Sequence, residues 1–161
     1  LANRLKLAAQ LIDAEVGARV IYLSLDGFDT HAGQGAATGA HANLLQTLSD
    51  GIAAFFRDLS ARGQAERVCL MTFSEFGRRA RENGSAGTDH GSAAPMFLAG
   101  PKVRPGVVGK HPSLTRLDAG NLAFAIDFRR IYAAILTDWL GIDSAPIVGK
   151  AYPKWPDLFV S

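Results

Sequence analysis

Two short apolar runs limit what this chain can fold into. Val20-Ile21-Tyr22-Leu23-Ser24-Leu25 and Val68-Cys69-Leu70-Met71-Thr72-Phe73 are almost wholly apolar. Runs of this length without polar alternation fit strands covered on both faces, as in a parallel sheet. Each follows a stretch of helical periodicity. Residues 1–16 carry Leu5, Ala8 and Ile12 on one row and Leu7 and Leu11 on another, with Gly17 as a stop. A second apolar stripe runs from Leu44 through Leu48, Ile52, Phe55, Phe56 and Leu59 to a stop at Gly63, and Thr38 is its expected N-cap.

Further along, residues 95–99 read as a third strand and residues 106–108 as a short one within turn-rich sequence. Residues 127–140 read as the last helix, with Asp127 at the N-cap, Gly141 just past the end, and Ile131, Tyr132, Ile135, Leu136 and Trp139 facing a core. The proline-bearing tail from Ala145 reads as an extended surface segment. Strands alternating with amphipathic helices give the expected fold class: α/β, a three-layer α/β/α sandwich with a mainly parallel sheet, over residues 1–161 as a single domain.

Composition narrows the function classes. With 161 residues, 48% hydrophobic and 20% charged, the chain can bury a core. A net charge of +2 gives no argument for nucleic acid. The single cysteine, Cys69, excludes an internal disulfide and reads as a buried, inert thiol. No apolar run approaches the ~20 residues of a membrane span.

Chemistry concentrates in two acid–imidazole groups. Asp26-Gly27-Phe28-Asp29-Thr30-His31 follows the first apolar run, and Thr88-Asp89-His90-Gly91 lies in a glycine-rich stretch. Imidazole nitrogen and carboxylate oxygen are the ligands a divalent ion takes at ~2.0–2.2 Å. Asp29, His31, Asp89 and His90 are therefore the candidate metal ligands, with Thr30 and Thr88 placed to steer them. The alternative is that both aspartates cap turns. Asp26, before Gly27, reads more as a turn residue. Glu75, at the end of the second apolar run, is a candidate base, ligand or orienting group, or else pairs with Arg78. Arg78, with Arg79 and Arg81, could hold an anionic substrate or form a solvated face. His41 reads as structural, and His111 as a possible late ligand. Ser74 and Ser92 make a poor serine-hydrolase case.

Gly27-Phe28-Asp29-Thr30-His31 with Gln34, then Thr72 to Arg78, Glu82-Asn83-Gly84, Gly87-Thr88-Asp89-His90-Gly91, Asp127-Phe128-Arg129 and Asp138-Trp139-Leu140 together resemble the bacterial family DUF1501. The chain resembles the carboxyl-terminal part of that family's domain. The resemblance implies an alkaline phosphatase- or sulfatase-like fold and a metal-dependent hydrolase of phosphate or sulfate esters. It implies a divalent cofactor (zinc, manganese or calcium), a small anionic ester as substrate, and Asp89 and His90 as metal ligands. Those enzymes usually space the earlier Asp and His by three residues, whereas Asp29 and His31 have one between them. The resemblance also places the nucleophile before Leu1, together with a twin-arginine export signal and hence a periplasmic or exported location. A non-catalytic ligand-binding module, or an oligomeric scaffold of the cell envelope, is the alternative function.

Overall fold

The computed structural model describes residues 1–160. In chain order the main elements are α1 (Ala2–Asp13), α2 (Ala40–Ala61), β1 (Leu70–Met71), β2 (Gly77–Glu82), β3 (Thr88–Gly91), β4 (Leu98–Ala99), α3 (Phe128–Ala134) and α4 (Ala145–Val148). The chain divides into two compact units, Leu1–Val68 with Arg79–His90, and Cys69–Arg78 with the residues from Gly91 onward.

In the first unit α1 packs on α2. Leu5, Ala8 and Ala9 fall at the spacing that brings residues to one helix face, and all three are buried, as are Phe55 and Leu59 on α2. The helices approach closely at Gly51, where a Cβ would stand 3.0 Å from Leu1 Cδ2 and 3.1 Å from Leu5 Cδ1. The first helix stops short of Gly17: α1 closes at Asp13, and the left-handed residue past its Ala14 cap is Glu15 at φ +50°. α2 follows the elementary capping rule, with Gly63 at φ +69° just past its end and Gln64 N donating back to Leu59 O. The N-cap of α2 is Gly39 and not Thr38. A residue with a Cβ does not fit there, because it would lie 2.4 Å from the Gly35 Cα.

In the second unit Ile131, Ala134 and Leu158 form the core, with Met96, Leu98, Ile126 and Trp155 against it. The expected helix is present as α3 plus a wider π turn over Ile135–Trp139. Asp127 caps it, accepting from Arg129 N at 3.0 Å. The Arg129 guanidinium holds the Asp127 carboxyl below its usual range. The tail does more than line the surface. Val103 bridges Phe159, Trp155 N donates to Arg130 O, and Leu158 is buried. Burial pushes the Cys69 thiol up to about 11, so thiolate is scarce at neutral pH, in keeping with an inert cysteine.

The sheet differs from the expectation. Neither a parallel sheet nor a three-layer α/β/α sandwich, alkaline phosphatase-like or otherwise, is present among the described residues. The strands form two antiparallel-type ribbons of two strands each, β1 with β4 and β2 with β3. β1 and β4 are antiparallel, with Leu70 opposite Ala99 and Met71 opposite Leu98. The physical reason lies in strand pairing. Hydrophobic run length signals burial, but it does not name the neighbour that supplies the ladder hydrogen bonds. Residues 20–25 join no ladder, and Val20 and Tyr22 are 75% and 70% exposed. The second run contributes only Leu70 and Met71 to a strand, and the expected strand at residues 106–108 is absent, with Val107 fully exposed. Conversely, β2 and β3 form where polar sequence reads as loop, because their exposed side chains give no apolar alternation. No helix among the described residues is long and apolar enough to cross a membrane.

Candidate metal centre

The first unit brings the two acid–imidazole groups together. The β2–β3 ribbon turns at residues 83–87, and this turn lies along the segment from Thr30 to Gln34. Gly33 N donates to Ser85 O at 3.0 Å, Gln34 N to Ala86 O at 2.9 Å, and Thr88 N to Thr30 O at 3.4 Å. Glycine at position 87 makes the approach possible, since a Cβ there would lie 2.3 Å from the His31 carbonyl carbon and oxygen. Thr88 Oγ1 donates to the Gln34 side-chain oxygen at 3.1 Å, and Thr30, buried, points its hydroxyl back to Phe28 O at 3.5 Å.

The result is a cluster of three donors. His90 Nε2 lies 2.8 Å and His31 Nε2 3.1 Å from the same oxygen, Asp29 Oδ1. The two imidazole rings are 4.6 Å apart between centroids and tilted by 44°. One ligand atom from each of Asp29, His31 and His90 lies within 4.8 Å of the others. Tetrahedral zinc with ~2.0–2.1 Å bonds separates its ligand atoms by roughly 3.3 Å, so small side-chain adjustments suffice. Two imidazoles and one carboxylate form a donor set used where metal keeps a position open. The side chains are 63%, 47% and 46% exposed for Asp29, His31 and His90, so the centre faces solvent.

Asp89, the fourth expected ligand, lies on the far side of His31. Its Oδ1 is 3.5 Å from His31 Nδ1, an electrostatic contact longer than a good hydrogen bond. Asn83 fixes it there. Asn83 Nδ2 donates to Asp89 Oδ1 at 3.1 Å and to His31 O at 2.9 Å, and Asn83 Oδ1 accepts from Ser85 N and Gly87 N. The Asn83 amide holds the Asp89 carboxyl below the usual carboxylate range, against the opposing effect of burial, with His31 and Arg79 acting in the same direction as Asn83. Reasoning from residue types misses Asn83, because Asn-Gly reads as turn chemistry.

The other candidates are not among the converging donors. Glu75 and Arg78 belong to the second unit. Glu75 is exposed at the bend between β1 and β2, and the Arg78 guanidinium stacks over the Phe76 ring at 4.9 Å. His111, also in the second unit, places Nδ1 2.8 Å from Pro112 O. His41, on α2, meets the Phe28 ring edge-on at 5.6 Å between centroids, consistent with a packing role.

No curated protein and no solved structure matches the chain. One family model does, described as a protein of unknown function, and it covers residues 3–149. With nearly all its length matched, and the Asp29, His31 and His90 cluster inside the matched region, the chain belongs to the DUF1501 family.

Proposed function

We propose that Asp29, His31 and His90 hold a divalent cation, zinc or manganese by donor type, and that the centre serves hydrolysis of a small phosphate or sulfate ester. The observation that carries the reading is the meeting of His90 and His31 on one Asp29 oxygen, although His90 and Asp29 are 61 positions apart. A bound divalent ion supplies Lewis-acid charge that stabilises the anionic transition state of ester cleavage. The protein's own part is to hold the donors. Asp29 offers one carboxylate oxygen between two imidazoles, and the backbone bonds from Gly33, Gln34 and Thr88 keep the two ligand-bearing segments in register.

The same exposure favours a second reading, a module that binds the cation without turnover. Catalytic metal sites gain strength by excluding water, and this one is open. One experiment tests both. Zinc or manganese is added to the purified, chelator-treated chain while melting temperature and hydrolysis of p-nitrophenyl phosphate and p-nitrophenyl sulfate are followed. At ~100 times the dissociation constant, binding should stabilise the fold by about 2.7 kcal/mol. Stabilisation with ester cleavage supports the hydrolase. Stabilisation without cleavage supports the binding module. If neither ion raises the melting temperature, the metal reading is lost.

A further inference from the structure

The two nitrogens of His31 face different carboxylates. Nε2 points to Asp29, on the side shared with His90, and Nδ1 points to Asp89. An imidazole's two ring nitrogens diverge, so a cation taken by Nε2 cannot also be reached from the Nδ1 side. Strand geometry makes the same division. Asp89 and His90 are successive residues of β3, and successive side chains of a strand leave from opposite faces. Asp89 is also outside the group of donors that converge.

From this geometry we infer that Asp89 is a positioning residue and not a metal ligand: held by Asn83, it accepts the Nδ1–H of His31 once a cation has taken Nε2. The inference rests on the proposed metal centre but does not depend on hydrolysis. It reverses the role that the Asp89-His90 sequence suggests, where both neighbours would be ligands. Carboxylates set behind metal-binding histidines act this way by fixing ring orientation and tautomer. Here the chain of control has one further link. Asn83 Nδ2 bonds both Asp89 Oδ1 and the main-chain oxygen of His31, so one amide fixes the carboxylate and the backbone of the histidine it orients. The other end of that amide accepts from Ser85 N and Gly87 N, which ties its orientation to the turn. A residue that only stabilised the turn would need neither Nδ2 bond.

The test uses the purified chain, zinc chloride as the probe, and two substitutions, Asp89→Ala and Asn83→Ala, beside His90→Ala. Calorimetric titration reads zinc affinity. Proton and nitrogen-15 spectra of the zinc-loaded protein read the His31 Nδ1–H, which a carboxylate partner shifts downfield and protects from exchange. Both Asp89→Ala and Asn83→Ala should weaken zinc by roughly 10–100-fold, with stoichiometry unchanged. Both should move that proton upfield and speed its exchange. The double substitution should cost little more than the worse single one, since the two residues act through one ring. A His31 Nδ1–H signal unaltered in Asp89→Ala overturns the inference, whatever happens to affinity. An affinity loss in Asp89→Ala equal to that in His90→Ala also overturns it, by making Asp89 a ligand. If the unsubstituted protein takes up no zinc, the proposed function fails and the inference falls with it. Because Asn83→Ala leaves both carboxylates in place, it gives the same reading even if Asp89→Ala does not fold.

Discussion

His90→Ala is expected to lower affinity for zinc or manganese by on the order of 100-fold or more, beyond the ~10–100-fold typical of residues behind the ligands. It should do so without unfolding the protein. His90 is 46% exposed on a short polar strand, and the helical core of its unit does not involve it. Exposed substitutions away from caps and cores usually change stability by only ~0.5 kcal/mol. Calorimetric titration should therefore show the loss of binding, while the metal-free melting temperature stays near that of the unsubstituted chain. Equal affinity in the two proteins would remove His90 from the ligand set, and with it the argument that residues 29 to 31 and β3 form one centre.

Gly87→Ala is expected to damage fold and site together. The new methyl group would start 2.3 Å from the carbonyl carbon and oxygen of His31 and 2.7 Å from Ala32 N. These are main-chain atoms, and no rotamer change relieves the clash. The segments must separate, which breaks the bonds from Gly33, Gln34 and Thr88 and the Asn83 contact to His31 O. At ~0.5–1.5 kcal/mol for each of these four bonds, a loss of roughly 2–6 kcal/mol follows. His31 moves with its backbone, so cation affinity should fall at least as far as in His90→Ala. Circular dichroism melts and a zinc titration would check both parts. A variant that melts within ~0.5 kcal/mol of the parent and still binds zinc would show that the close approach is not needed.

The helices were legible in the sequence because a stripe at 3.6-residue spacing declares both the element and its buried face. Leu5 and Ala8 on α1, Phe55 and Leu59 on α2, and Ile131 on α3 are buried as that spacing requires. The capping of α3 by Asp127 was legible for the same local reason. Sheet topology was not. The pairing partner of Val20–Leu25 is not written in those residues, and their apolar character was read as cover by neighbours that the described residues do not supply. The β2–β3 ribbon was hidden because Arg79, Arg81 and Glu82 give it no apolar face. At the candidate site, residue type singled out Asp29, His31, Asp89 and His90 together, because imidazole and carboxylate are donors a cation takes. That Asp29, His31 and His90 converge while Asp89 faces the other nitrogen of His31 is decided by the fold and not by residue type.

The turn that joins β2 to β3 also carries a chemical clock. Asn83 precedes Gly84, and an asparagine before glycine is the pair most prone to lose its amide by ring closure onto the next main-chain nitrogen. Conversion to aspartate would set an oxygen where Nδ2 now stands, 3.1 Å from Asp89 Oδ1, and two like charges so close repel. A zinc titration of protein aged at alkaline pH should thus show weaker binding than fresh protein while the helical signal persists, with peptide mapping locating the change at this one turn.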